Sequence, residues 1–161
     1  MGERMSNDVL GKIKAQTAAE ICQHWELEEG AKALLQDDLT PQQFLTLLIE
    51  HEQFLDATRF LAHALPKREA VWWACLCIRS VLEEDVPPEE IAALQAAERW
   101  VIDPSEEHRR AAMQAAEATE FNTPSSWAAM GAFWSGGSMA PPDVPAVPPG
   151  EYLTARAVSG A

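Results

Sequence analysis

The side chains best suited to chemistry are four histidines, three cysteines and the carboxylates near them in the chain. Glu20, Cys22 and His24 fall within about one helical turn. They are the best candidates in the sequence for a metal site or an acid–base site. A di-metal site in a helix core requires two Glu-x-x-His pairs, and the sequence contains none. His51 is followed by a glutamate, as in the zinc-protease motif His-Glu-x-x-His, but Leu55 stands where the second histidine is needed. We therefore interpret the histidines as ordinary helix residues and predict no metal.

Cys75 and Cys77 belong to a helical pattern rather than to a zinc-ligand pair. Residues two apart on a helix point about 200° apart, so we expect one cysteine in the core and the other near the surface. An odd number of cysteines without a regular framework is typical of a reducing cytosol. For Cys75 and Cys77 we nevertheless favour two buried structural cysteines over zinc ligands.

Motifs that bind nucleotides or activate a serine are missing from the sequence. The run Trp-Ser-Gly-Gly-Ser at residues 134–138 resembles a phosphate loop, but its glycines follow a predicted helix and fit a left-handed helix end. Adjacent glutamates such as Glu106 and Glu107 lie at predicted helix starts, where they favour the helix dipole. The sequence therefore predicts no cofactor and no enzymatic activity.

The formal net charge of −13 limits the classes of partner. Residues 83–161 hold 13 acidic and 4 basic residues, so no basic stripe is present to bind nucleic acid or an anionic membrane surface. No apolar run reaches the roughly 18–20 residues of a spanning helix, and the polar start of the chain lacks the features of a signal peptide. We predict a cytoplasmic protein with a protein partner, and neither nucleic acid nor membrane binding.

Prolines ahead of apolar-periodic runs mark the starts of the helices. Thr40-Pro41-Gln42-Gln43 predicts a capped start, and Asp103-Pro104-Ser105-Glu106 predicts another with Asp103 as the cap. No alternating pattern long enough for a strand occurs. The predicted helices cover residues 41–50, 53–64, 67–83, 88–102, 105–119 and 125–134. Their short connections favour an all-α fold, either a compact bundle or a short solenoid of antiparallel hairpins.

The composition predicts three regions. Residues 1–15 are a flexible leader, residues 16–137 form the helical domain, and residues 138–161 hold a Pro-rich segment and the start of a last helix. Five prolines in residues 141–150 predict an extended segment close to polyproline II.

The remaining candidates are aromatic and arginine side chains, which we assign to partner binding. They are Trp72, Trp73, Arg109, Arg110, Trp127, Phe133 and Trp134. The plain interpretation of the aromatic residues is core packing. The functional one is an aromatic groove that holds the chain's own Pro-rich segment or a partner. The arginines either pair with the glutamates one turn earlier, or clamp the carbonyls of the Pro-rich segment or a partner's carboxylate.

Two runs of sequence resemble an uncharacterised family of small helical bacterial proteins associated with type VI secretion neighbourhoods. These runs are FLAHALPKREAVWWAC at residues 60–75 and WAAMGAFWSGGSMAPP at residues 127–142, and the resemblance extends over about residues 40–161. It implies an accessory, cytoplasmic role and supplies no catalytic residues.

The hypothesis that we favour is a non-enzymatic adaptor or chaperone-like binding module in a bacterial secretion context, with a secretion component or effector as its partner. One alternative is an enzyme with an unrecognised pocket near Glu20, Cys22 and His24. The other is a purely structural module that oligomerises.

Overall fold

The structure, a computed structural model, describes residues 9–161. Contacts within the chain divide it between Pro66 and Lys67 into two compact units. The division falls inside the range 16–137 that the sequence analysis treats as one helical domain. Of the predicted leader, residues 1–8 lie outside the described part of the chain. Within the rest of it, Ile13 and Ala15 pack against the core of the first unit.

The first unit consists of short helices followed by a longer helical pair. Thr40 caps the first helix of that pair as predicted, because its hydroxyl accepts from the Gln43 amide at 3.2 Å and its own amide donates to the Gln43 side chain at 2.9 Å. The elements are α1 (Ala18–Ile21), a 3-10 turn (Cys22–His24), α2 (Glu29–Lys32), α3 (Pro41–Glu50) and α4 (Phe54–Ala64).

The core of the first unit centres on two phenylalanine rings. Phe44 of α3 and Phe60 of α4 are fully buried and meet edge to face, with their centroids 5.2 Å apart. Leu48, one turn after Phe44, is also fully buried. The apolar faces predicted for these two helices therefore meet each other.

A buried carboxylate joins α4 to the segment before α2. Asp56 is only 2% exposed, and its two oxygens accept from the Trp25 indole N–H and from the Glu28 backbone amide, both at 3.0 Å. Glu28 is the cap residue of α2, so this acceptor fixes the start of that helix. The His63 ring stacks on Trp25 with 4.8 Å between centroids.

The second unit is built around one helix that is buried on nearly all sides. This helix, α8, contacts four other helices of the unit, and a Cβ added at its Gly131 would lie 3.4 Å from Val71 and 3.5 Å from Val158. Its small residues let those helices approach closely. The elements are α5 (Lys67–Val81), α6 (Pro88–Ile102), α7 (Glu106–Ala118), α8 (Pro124–Phe133) and α9 (Leu153–Gly160).

The predicted all-α class is confirmed, because the described residues form helices and no strand. The six predicted helices lie within two residues of their observed bounds. The predicted cap at Asp103 is wrong. Since α6 extends to Ile102, Asp103 becomes its C-cap, and the hydroxyl of Ser105 accepts from the His108 amide at the start of α7.

The Asp56 contact predicts a stability effect in the first unit. Asp56→Ala leaves the Trp25 indole and the Glu28 amide without their acceptor, so we expect the free energy of unfolding to fall by about 2–4 kcal/mol. Urea titration followed by tryptophan fluorescence measures this change. The control is Glu26→Ala, at an exposed side chain, which should cost no more than about 0.5 kcal/mol. Equal effects of the two variants would contradict the role given to Asp56.

Candidate functional site

A buried arginine on α7 joins three parts of the second unit. Arg109 is 4% exposed, and its guanidinium donates to the Glu106 carboxylate through Nε at 2.6 Å and Nη2 at 2.7 Å. Nη1 donates to the Phe133 carbonyl at 2.7 Å, and Nη2 also donates to the Ser138 carbonyl at 2.9 Å. The guanidinium lies over the Phe133 ring, 4.6 Å from its centroid. The buried positive charge is therefore paired and hydrogen-bonded.

Two further cations donate to the same stretch of backbone. Arg110 donates to Glu106 at 2.7 Å and to the Ala140 carbonyl at 3.1 Å. Lys67, at the start of α5, donates to the Ser135 carbonyl at 3.3 Å. Cations are favoured at a helix C-terminus, where carbonyls lack partners within the helix. We call Glu106, Arg109 and Arg110 the arginine clamp.

The clamp holds the start of a closed loop, which we call the Pro-rich loop (residues 139–149). The Ser138 hydroxyl accepts from the Ala140 amide at 3.1 Å and from the Val147 amide at 2.9 Å. The Met139 amide donates to the Val147 carbonyl at 2.8 Å, so the two ends of the loop meet. The prediction that this segment is extended throughout is not confirmed, because a turn within residues 141–144 bends it back on itself.

The outer surface of the Pro-rich loop is exposed and mostly apolar, with Asp143 as the charged residue within it. All residues from 141 to 148 are exposed, and Val144 and Val147 are 47% and 48% exposed. The loop therefore combines a firmly held base with an open surface of valines and prolines.

Gly137 allows the backbone to pass close to the guanidinium. Its φ is +64°, in the left-handed region that favours glycine, and a Cβ there would lie 2.9 Å from Cζ of Arg109. Its neighbour Gly136 has no such constraint, since a Cβ built there has nothing within 4 Å.

The structure brings only part of the predicted partner-binding set together. Arg109, Arg110 and Phe133 share the clamp, and Trp134, half-buried, caps α8 next to it. Of the two glutamates considered for pairing, Glu106 is the partner in the described ion pairs of both arginines, and the arginines also donate to the carbonyls of Ser138 and Ala140 at the base of the Pro-rich loop.

The other three aromatic candidates lie elsewhere in the second unit. Trp127 lies near the start of α8, where its ring is 3.5 Å from a Cβ built at Gly160 of α9. Trp72 and Trp73 lie side by side on α5 and are both half-buried. The aromatic groove remains a prediction.

Lys67 and Ser138 are site residues that the sequence analysis did not single out. The partner of Lys67 is 68 residues away, and Ser138 acts through its carbonyl and hydroxyl on Arg109 and Val147. No local pattern identifies such contacts. The Gly136-Gly137 pair was the feature of the sequence that could have indicated this site, since glycine with a positive φ often marks a close approach of the backbone.

The thiols lie outside this site. Burial, together with the nearby charge of Asp56, raises the pKa of Cys22 to about 12, and burial likewise raises the pKa of Cys75 to about 12. Cys75 is buried and Cys77 exposed, as the helical spacing predicts, so the interpretation of both as buried is wrong for Cys77. Within residues 9–161, no group of three or more His, Cys, Asp or Glu side chains is placed to hold a metal ion.

Comparison with known protein families matches residues 44–161 to a family of unknown function (DUF6931). No curated protein and no solved structure matches the chain. None of the helices in the described residues has the length and apolar character needed to cross a membrane.

A matched pair of glycine variants tests the close approach at the clamp. Gly137→Ala places a methyl group against the Arg109 guanidinium and forces alanine into the left-handed region, so we expect a loss of at least about 1 kcal/mol of unfolding free energy. Gly136→Ala should change that energy by no more than about 0.5 kcal/mol. Chemical denaturation of both variants provides the measurement. A Gly137→Ala variant as stable as Gly136→Ala would contradict the described geometry.

The clamp also predicts a dependence of stability on pH. Hydrogen bonds from Arg109 and then Arg110 lower the pKa of Glu106 from its ordinary 4.5 to about 2. Because the folded pKa is depressed, the stabilisation is present above pH 4.5 and is lost as the pH falls from 4.5 through about 2.

Thermal unfolding midpoints measured between pH 7 and pH 2 test this dependence. Glu106→Gln should have a lower unfolding midpoint than the natural protein at neutral pH. Its midpoint should also fall less than that of the natural protein when the pH is lowered. The control is Glu107→Gln, an exposed neighbour with the same loss of charge, which should keep the full decline. If the midpoint of Glu106→Gln fell as much between pH 7 and pH 2 as that of the natural protein, the role given to this ion pair would be contradicted.

Proposed function

The chain belongs to this family of unknown function (DUF6931), and we propose that it is a non-enzymatic adaptor or chaperone-like binding module that docks a protein partner through its Pro-rich loop. The observation that carries the proposal is the pairing of a buried arginine, each of whose three guanidinium nitrogens donates a hydrogen bond, with an exposed and mostly apolar loop.

Burying a charged side chain is costly unless every group on it finds a partner. Besides the Glu106 carboxylate, the partners of Arg109 are the Phe133 and Ser138 carbonyls, which precede the Pro-rich loop, so its interactions order the base of a surface element. A loop that is ordered before binding loses less conformational entropy when a partner binds. Exposed apolar loops held on a rigid scaffold are typical of binding surfaces.

The chemistry of the loop suggests the kind of partner surface that it fits. Exposed proline-rich segments are bound by grooves lined with aromatic side chains, and residues 145–149, which follow the turn, hold three of the prolines. Val144 and Val147 add apolar side chains that such a groove would cover. Trp134, the C-cap residue of α8, is half-buried and precedes the loop in the chain.

We further propose a cytoplasmic setting in bacterial type VI secretion, with a secretion component or effector as the partner. Support for this setting comes from the resemblance of residues 60–75 and 127–142 to proteins of such neighbourhoods. The proposal of loop docking does not depend on it.

A single substitution on the loop tests the docking surface. Val144→Asp places a charge on an exposed apolar position without touching the clamp, so we expect recovery of the partner to fall at least about fivefold, the loss of one contact worth about 1 kcal/mol. The measurement is affinity capture from a lysate of the native host, quantified by mass spectrometry. Circular dichroism and the unfolding midpoint should be unchanged.

The control variant is Phe54→Asp, which changes an exposed apolar residue at the start of α4. It should recover the same partner as the natural protein. If both variants recover the same proteins in equal amounts, docking through the loop is wrong. If the partner whose recovery depends on the loop is not a secretion component or effector, the proposed secretion context is wrong and docking through the loop is not.

A further inference from the structure

An open apolar groove lies in the second unit where α5 ends and α8 begins. Its volume is about 390 Å³, within the range of about 300–1,000 Å³ typical of ligand pockets. Ile78, Val81, Val86 and Pro124 supply apolar walls, and Val81 is 77% exposed. A valine this exposed beside a cleft is available to a partner's side chain.

Glutamates line this groove and a neighbouring one. A second groove of about 240 Å³ adjoins it and shares Glu90. Glu83 lines the first groove, and Glu89 and Glu120 line the second. Among the described residues that line the two grooves, none is Lys, Arg or His.

The surrounding sequence provides no compensating charge. There is no Lys or Arg between Arg79 and Arg99, or between Arg110 and Arg156. Arg79, the cation nearest in sequence to the groove, already donates to both oxygens of Glu98 at 2.8 and 2.7 Å. The rim of the groove is therefore acidic and its walls are apolar.

We propose that this acid-rimmed groove binds a basic amphipathic helix of a partner protein. On such a helix, apolar side chains three and four residues apart share one face and would enter the groove, while flanking lysines or arginines would meet the glutamates of the rim. Charge complementarity of this kind raises the association rate and selects against acidic partners. This site is separate from the Pro-rich loop and does not depend on the function proposed for it.

Other occupants fit the surface less well. A bare metal ion gains nothing from walls of isoleucine, valine and proline, and a nucleic acid has the same sign of charge as the rim. A second copy of this chain carries a net charge of −13, which disfavours docking against an acidic rim.

The experiment uses the full chain and a fluorescent helical peptide of about 18 residues, made of leucine, lysine and alanine with leucine at helical spacing. Fluorescence anisotropy measures its affinity. The groove variant Glu83→Gln, Glu89→Gln, Glu90→Gln should bind the peptide about tenfold more weakly, since the charge pairs of three glutamates with the peptide are lost. Val81→Ser, which keeps every charge, should weaken binding by about threefold through lost apolar contact.

A matched control separates this site from general attraction to an acidic protein. Asp37→Asn, Asp38→Asn, Glu50→Gln removes the same charge from exposed positions of the first unit and should change the affinity by less than about twofold. Equal weakening by the two triple variants would overturn the proposal. So would equally tight binding of a peptide with every leucine replaced by serine.

Amide chemical shifts of the labelled protein locate the peptide. The expected changes centre on residues 78–90 and 120–124, and changes centred elsewhere would overturn the proposal. Shifts of these residues with calcium alone, or with protein concentration alone, would assign the groove to a cation or to a second copy instead. The loop variant Val144→Asp should bind the peptide normally, so failure here is distinguishable from failure of the loop proposal.

Discussion

The burial of the Arg109 guanidinium is the constraint on which the candidate site depends. A buried charge is tolerated only where each donor finds an acceptor, and here the acceptors come from three places in the second unit: a carboxylate of the same helix, the last carbonyl of α8, and the carbonyl of Ser138. Satisfying one side chain therefore fixes α7, the end of α8 and the base of the Pro-rich loop together. This arrangement also requires a glycine at position 137, because a side chain there would occupy the space of the guanidinium.

The position of the loop follows from the packing of α8. This helix is surrounded by α5, α6, α7 and α9, and its alanines and Gly131 allow their close approach. A helix held on so many sides provides a rigid base for the segment that leaves its C-terminus. The hydroxyl of Thr154 in α9 donates to the Gly131 carbonyl at 2.9 Å, which ties the chain beyond the loop back to the same helix.

The distribution of charge gives the second unit two distinct surfaces. Residues 67–161 contain 14 acidic and 7 basic side chains, and three of the basic ones donate to backbone carbonyls around the base of the loop. The residues that line the grooves at the ends of α5 and α7 are left without a described cation. The same cations that order the loop are thus unavailable to neutralise the glutamates of the groove. The two surfaces that we propose for binding therefore lie on the same unit and differ in charge.

The sequence by itself determined the helices, because their signals are local. Prolines at first helical positions, the Thr40 capping box and apolar spacings of three and four depend only on neighbouring residues. The cap at Ser105 was missed because the choice between it and Asp103 depends on where α6 ends. Tertiary structure alone decided the partners of Asp56, Lys67 and Ser138, which lie about 30 to 70 residues away in the chain. Hydrogen bonds over such separations depend on how helices pack, and periodicity along the chain carries no information about which carbonyl a buried arginine will meet.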